Sequence, residues 1–167
     1  MDIIFSMDKK RLISSLQASC AKREYCSGQI RQKIAKICSD GKYECGKVLS
    51  ADEISQILLL LQRYKFIDDE RFACFYVRDK AKFNKWGRIK IALKLRQLGI
   101  GEGVIERAMA QNEQLFCGDG LVQLLQKKWD SLKAGESETV KKQKVLRFAL
   151  SRGYQWGEIM PVLEKLV

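Results

Sequence analysis

The sequence predicts an all-α protein built from three tandem three-helix repeats. Three observations carry this. The 167 residues hold a single proline, Pro161, whereas sheet-rich folds need many turns. Apolar residues recur at three- and four-residue spacing along most of the chain. An apolar pattern also repeats around two glycines: Gly99 leads Ile100, Ile105, Ala108 and Met109, and Gly153 leads Tyr154, Ile159, Val162 and Leu163 at the same offsets. Ile54, Ile57 and Leu58 repeat the last three positions, without an aligned glycine. Two helical stretches precede each copy, which sets repeat boundaries near residues 1–66, 67–113 and 114–167. Units this small must share contacts with their neighbours.

The first helix is expected over about Asp8 to Lys22, with Leu12, Leu16 and Cys20 on one face. The second runs from Ser27 to Ile37, stacking Ile30, Ile34 and Ile37. The polar stretch from Cys38 to Leu49 reads as a loop. Ser50 and Glu53 form a capping box that opens a helix through Ile54, Ile57, Leu58 and Leu61.

Asp68, Asp69 and Glu70 start the fourth helix, where acids favour the positive helix end and Asp68 can accept backbone N–H groups. Phe72, Phe75, Tyr76 and Phe83 are expected to point inward, with Arg71, Arg78 and Lys82 on an outward stripe. The next helix, about Trp86 to Leu98, carries two apolar stripes, Ile91-Leu95-Leu98 and Ile89-Ala92-Leu93. It is therefore expected to be buried on two sides, with Lys90 and Lys94 on its free face. Gly99 stops it in a left-handed cap. Pro161 is expected in the first turns of the last helix, where few N–H groups have partners.

Composition excludes several functions. There is no histidine, so histidine-based general bases, metal ligands and serine triads are removed. Apolar content of 46% is ample for a core. The longest aliphatic run, Ile57 to Leu61, is far short of a membrane span. The opening residues Met1 to Phe5 do not resemble a signal peptide. The six cysteines contain no C-x-x-C pair and read as reduced thiols, several of them core fillers, in preference to a zinc site from Cys20, Cys26, Cys38 and Cys45.

The near-match to a phosphate-binding loop at Gly41 to Val48 has Val48 where a hydroxyl is required. The glycines from Gly99 to Gly103 are better explained by a helix stop and turn. Asp68 and Asp69 are adjacent and cannot face each other as an acid–base pair on a helix, so a cap is the better reading. Cys74 and Cys117 have no base in view. Trp86, between Lys85 and Arg88, could stack on a base, but core anchoring is favoured.

Charge is informative. The chain carries 31 Lys and Arg against 20 Asp and Glu, a net of +11. Between Arg71 and Arg96 there are nine basic residues and one acid, Asp79. Such a concentration fits a polyanionic partner, nucleic acid first and an acidic protein surface second.

The segment Tyr64-Lys65-Phe66-Ile67-Asp68-Asp69-Glu70-Arg71-Phe72-Ala73 resembles the signature of the RecX family, regulators of the RecA recombinase. A basic helix follows it, then Gly87-Arg88-Ile89 and the Leu95 to Ile100 stop. Looser matches lie at Ser27 to Ile34 and Leu146 to Tyr154, so the likeness covers roughly residues 10 to 165. The Cys38–Leu49 loop, rich in cysteine and lysine, departs from the pattern, as does an N-terminus without an extended arm.

The resemblance implies a curved, elongated array that binds along the groove of RecA–DNA filaments. It implies damping of ATP hydrolysis and strand exchange in DNA repair and recombination, with no enzymatic chemistry and no cofactor. The implied partners are the RecA filament and single- or double-stranded DNA, met by a cytoplasmic monomer. Arg71, Arg78, Lys82, Lys85, Arg88, Lys90 and Lys94 are the expected contacts to acidic filament surface or phosphate. Asp68, Asp69, Phe72, Ala73, Gly87 and Gly99 are the expected structural signature. A stand-alone helix-turn-helix module acting in transcription is the alternative.

Overall fold

The computed structural model describes residues 7–40, 49–116 and 119–166, with the side chains of 7 and 8 excepted. The opening residues to Phe5, the Gly41 to Val48 segment, Cys45 and Cys117 lie outside these. Among the described residues the structure is all helical, with nine α-helices and a short 3-10 turn at Glu113–Leu115. The chain divides into two compact units: Met1–Phe72 with Leu98–Ile100, and Ala73–Gln97 with Gly101–Val167. No described helix is long and apolar enough to cross a membrane.

In the first unit, α1 (Met7–Cys20), α2 (Ser27–Ser39) and α3 (Ala51–Arg63) meet around one core. Leu12 and Leu16 of α1, Ile30 and Ile34 of α2, and Ile57 and Leu61 of α3 are almost wholly buried. Each such side chain contributes about 1.5–3 kcal/mol of burial. The spacing of these residues is the helical one read from the sequence. The capping box is present: Ser50 Oγ accepts the Glu53 N–H at 3.2 Å, and Glu53 Oε2 accepts the Ser50 N–H at 2.9 Å. Lys65, at φ +60°, ends the turn after α3 in a left-handed conformation. The N–H of Phe66 then returns to the Leu61 carbonyl at 2.9 Å, closing the helix end.

Helix α4 (Asp69–Lys82) begins in the first unit and continues into the second. There α5 (Arg88–Gln97), α6 (Glu102–Gln111), α7 (Gly120–Asp130), α8 (Glu138–Ser151) and α9 (Trp156–Leu163) follow. Leu125, Val145, Ala149, Ile159 and Leu163 form the core of the last three helices. The two repeated glycines are both left-handed, at φ +79° for Gly99 and +86° for Gly153. Ile105, Ala108, Ile159 and Leu163, all positions of the repeated pattern, are buried.

Three expectations are corrected. On α4 the buried line beyond Phe72 is Ala73, Val77 and Ala81, while Phe75 and Phe83 are 50% and 72% exposed. This line of three smaller residues, four positions apart, permits close packing, and the bulky rings fall outside it. On α5 the Ile91-Leu95 stripe is buried, but Ile89 and Leu93 are exposed, so the helix is covered on one side only. Finally, α9 starts at Trp156 with Gln155 as its cap, which puts Pro161 sixth in the helix, beyond the first N–H groups that lack intrahelical partners.

Candidate functional site

The acidic start of α4 is structural. Asp68 Oδ1 accepts the N–H groups of Glu70 and Arg71, both at 3.1 Å. The Arg71 N–H, more than the Lys65 and Arg71 charges, holds the Asp68 carboxyl below its ordinary range. Asp69 points elsewhere. Its Oδ1 accepts the N–H of Ser27 at 2.7 Å, satisfying a donor at the start of α2. Gln62 reinforces that start by donating to Ser27 Oγ at 3.1 Å. The two adjacent carboxylates thus serve two different helices, and the second role, across 42 positions of sequence, had no local signal.

Helix starts and glycine turns are paired. In the first unit, Gly28 of α2 lies against the Leu98–Gly99 turn, so close that a Cβ on Gly28 would stand 1.8 Å from the Leu98 carbonyl oxygen. In the second unit, Gly87 meets the Arg152–Gly153 turn, where the Gly87 N–H donates to Arg152 O at 2.8 Å and the Ile89 N–H to Gly153 O at 3.2 Å. The positive start of α5 is therefore set on the negative end of α8. Lys90 is drawn into this joint: its Nζ donates to Ser151 O at 2.9 Å and lies 4.7 Å from the Trp86 ring centroid. The free face expected for Lys90 is thereby corrected, because the neighbouring helix end takes up its ammonium group.

The basic stretch separates into engaged and available cations. Arg71 pairs with Glu24 and donates to Lys65 O at 3.4 Å. Lys80 pairs with Asp79 at 2.7 Å. Arg88 grips Glu113 with two bonds, of 2.9 and 2.6 Å, and lies 4.4 Å from the Phe116 ring centroid. Arg96 pairs with Glu102 through two bonds, one of 2.8 Å. Hydrogen bonds from Arg88 and Arg96 hold the carboxyl pKa values of Glu113 and Glu102 below their usual range.

Arg78, Lys82, Lys85 and Lys94 are exposed and make no ion pair among the described residues. Lys94 donates only to Gln97, at 2.9 Å. Lys85 sits in the left-handed turn after α4, at φ +53°. Arg78 lies 5.9 Å from the Phe75 ring centroid and Lys82 lies 5.5 Å from that of Phe83. Acids at the first turn of α4 and lysines at its last both match the helix dipole. The sequence pattern places Phe75 and Phe83 inward, whereas both lie on the surface beside these cations. Their placement three residues before Arg78 and one after Lys82 is the signal that could have found them.

The described residues hold no group of three or more histidine, cysteine, aspartate or glutamate side chains arranged to bind a metal ion. Cys20, Cys26, Cys38 and Cys74 form no disulfide among the described residues, and the Cys74 thiol donates to Gln111 Oε1 at 2.9 Å. Cys26 is wholly buried, and burial pushes its thiol up.

Comparison with known proteins places these features. The family model for the second three-helix domain of RecX matches residues 68–109, and that for the third matches residues 119–163. The regulatory protein RecX of Clostridium tetani is 33% identical over 147 residues, covering 85% of this chain and 67% of its own length. That of Clostridium acetobutylicum is 30% identical over 118 residues, covering 68% of this chain and 53% of its own length. The crystal structure of RecX from Lactobacillus salivarius superposes with a TM-score of 0.75 over 95% of this chain and 96% of that one, at 20% identity, which shows a shared fold. This all-α chain, with its paired glycine turns, belongs to the RecX family of regulatory proteins.

Proposed function

We propose that the chain regulates the RecA recombinase by docking on RecA–DNA filaments in the cytoplasm. It damps ATP hydrolysis and strand exchange there, with no chemistry of its own. The supporting observation is the set of exposed cations Arg78, Lys82, Lys85 and Lys94, all within the segment matched to the second RecX domain. Cations that are neutralised at home contribute little to a partner's field, whereas unpaired ones contribute fully. Arg71, Arg88 and Lys90 then act mainly by holding helix ends and loops in place. The proposed organisation is three repeats near residues 1–66, 67–113 and 114–167, the middle one carrying the docking face of a monomer.

The test is steady-state ATP hydrolysis by RecA on single-stranded DNA, titrated with the protein, alongside filament length by electron microscopy. Turnover is expected to fall with added protein. Unchanged turnover and unchanged filament length at saturation would sink the proposal.

A further inference from the structure

Cations alone serve a phosphate backbone and an acidic protein surface equally well. The groups beside them do not. Phe75 and Phe83 are the exposed phenylalanines among the described residues, and each has a cation over its ring: Arg78 at 5.9 Å and Lys82 at 5.5 Å. Both of these cations lie outside the ion pairs of the described residues. Trp86 makes the contrast. It is half-buried, and the nearer of its two cations, Lys90 at 4.7 Å, is itself held by the Ser151 carbonyl, so this ring belongs to the α5 joint and not to the exposed face.

The spacing also fits a strand of nucleotides. The N–H of Phe83 donates to Asp79 O at 2.9 Å, so the helical path continues to Phe83. At a rise of about 1.5 Å per residue, Phe75 and Phe83 are placed ~12 Å apart along the axis. Stacked nucleotides advance ~3.4 Å each, so about three or four span that gap. Arg78 and Lys82 fall between the rings in sequence, where phosphates of the same strand would pass.

We infer that Phe75 and Phe83, with Arg78 and Lys82 between them, form a stacking site for unpaired bases of single-stranded nucleic acid. The inference rests on the proposed reading of α4 as the face that meets the filament, and it names what that face recognises. Every base has a π-face that a phenyl ring can cover, so binding is sequence-tolerant. Duplex DNA hides those faces within its own stack and offers the site only phosphates.

The experiment is fluorescence anisotropy of a labelled oligothymidylate, with no recombinase present. The Phe75→Ala/Phe83→Ala variant should bind about 10–100-fold more weakly than the unaltered protein. Phe75→Leu/Phe83→Leu should be nearly as weak, because it keeps apolar bulk but loses the flat face. An abasic strand of equal length should bind the unaltered protein and both variants alike. Circular dichroism should be the same for all three, since the rings are exposed.

Equal oligothymidylate binding by the unaltered and alanine proteins overturns the inference, as does full recovery with leucine. If the alanine pair loses inhibition of RecA while keeping oligothymidylate binding, the rings dock on protein; the inference falls and the filament reading stands. If ring-dependent oligothymidylate binding holds but the unaltered protein leaves RecA turnover unchanged, the filament reading falls and the inference stands.

Discussion

The joint between α5 and the α8 turn can be tested by adding one carbon atom. A Cβ on Gly87 would lie 2.3 Å from the Gly153 carbonyl oxygen, 2.5 Å from its carbon and 2.7 Å from the Tyr154 nitrogen. All three are backbone atoms and cannot rotate aside. Ordinary contact begins at 3.4 Å, so Gly87→Ala must push the start of α5 away by about 1 Å. That displacement breaks or stretches the 2.8 Å and 3.2 Å bonds from Gly87 and Ile89. Two lost hydrogen bonds cost about 1–3 kcal/mol together. Forced repacking adds about 1–3 kcal/mol. Reduced freedom of the unfolded chain returns about 0.4–1 kcal/mol.

The net destabilisation is about 1–5 kcal/mol, which lowers Tm by about 2–20 °C in a protein of this length. Gly120→Ala is the matched control, because nothing lies within 4 Å of its added Cβ at the start of α7. It should leave Tm unchanged or raise it by about 1–4 °C. Thermal unfolding followed by circular dichroism reads both. Equal melting of Gly87→Ala and Gly120→Ala would refute the joint as a close backbone contact.

Three further outcomes follow from particular contacts. Ser50→Ala removes the acceptor for the Glu53 N–H and should cost about 1 kcal/mol in denaturant unfolding. Asp68, with its folded pKa depressed chiefly by the Arg71 N–H, adds stability that is complete above the ordinary aspartate range and is lost as pH falls through the folded value. Stability measured against pH should therefore drop less steeply below about pH 4 in Asp68→Asn than in the unaltered protein. The buried Cys26 thiol, raised by desolvation, should stay unmodified under native alkylation at neutral pH and react only after unfolding, as read by mass spectrometry.

What could be read from sequence was what is local. The Ser50–Glu53 box, the Asp68 cap and the left-handed Gly99 depend on residues within a few positions, and all are present. The buried lines of α1, α2 and α3 follow from helical spacing alone. Helix α4 was harder, because apolar side chains occupy much of its circumference. Hydrophobicity favoured burying Phe75 and Phe83, whereas the packing selected the smaller Ala73, Val77 and Ala81. The basic residues could be counted but not sorted. Arg88 finds Glu113 across 25 positions and Arg71 finds Glu24 across 47, distances at which sequence pattern carries no contact information. Gly87 is marked only through the family resemblance and Gly28 not at all, because the turns at Gly153 and Gly99 that crowd them lie far away in sequence.

The central claim is that the available cations, not the basic stretch as a whole, carry docking on the recombinase filament. Its most direct measurement compares two variants as inhibitors of RecA ATP hydrolysis on single-stranded DNA. One reverses the available group, Arg78→Glu, Lys82→Glu, Lys85→Glu and Lys94→Glu. The other neutralises the ion-paired group, Arg88→Gln and Arg96→Gln. With both shown to be helical and folded, the first should need at least about tenfold more protein for half-inhibition. The second should inhibit nearly as the unaltered protein does. Full inhibition by the first, or loss of inhibition confined to the second, would contradict the account.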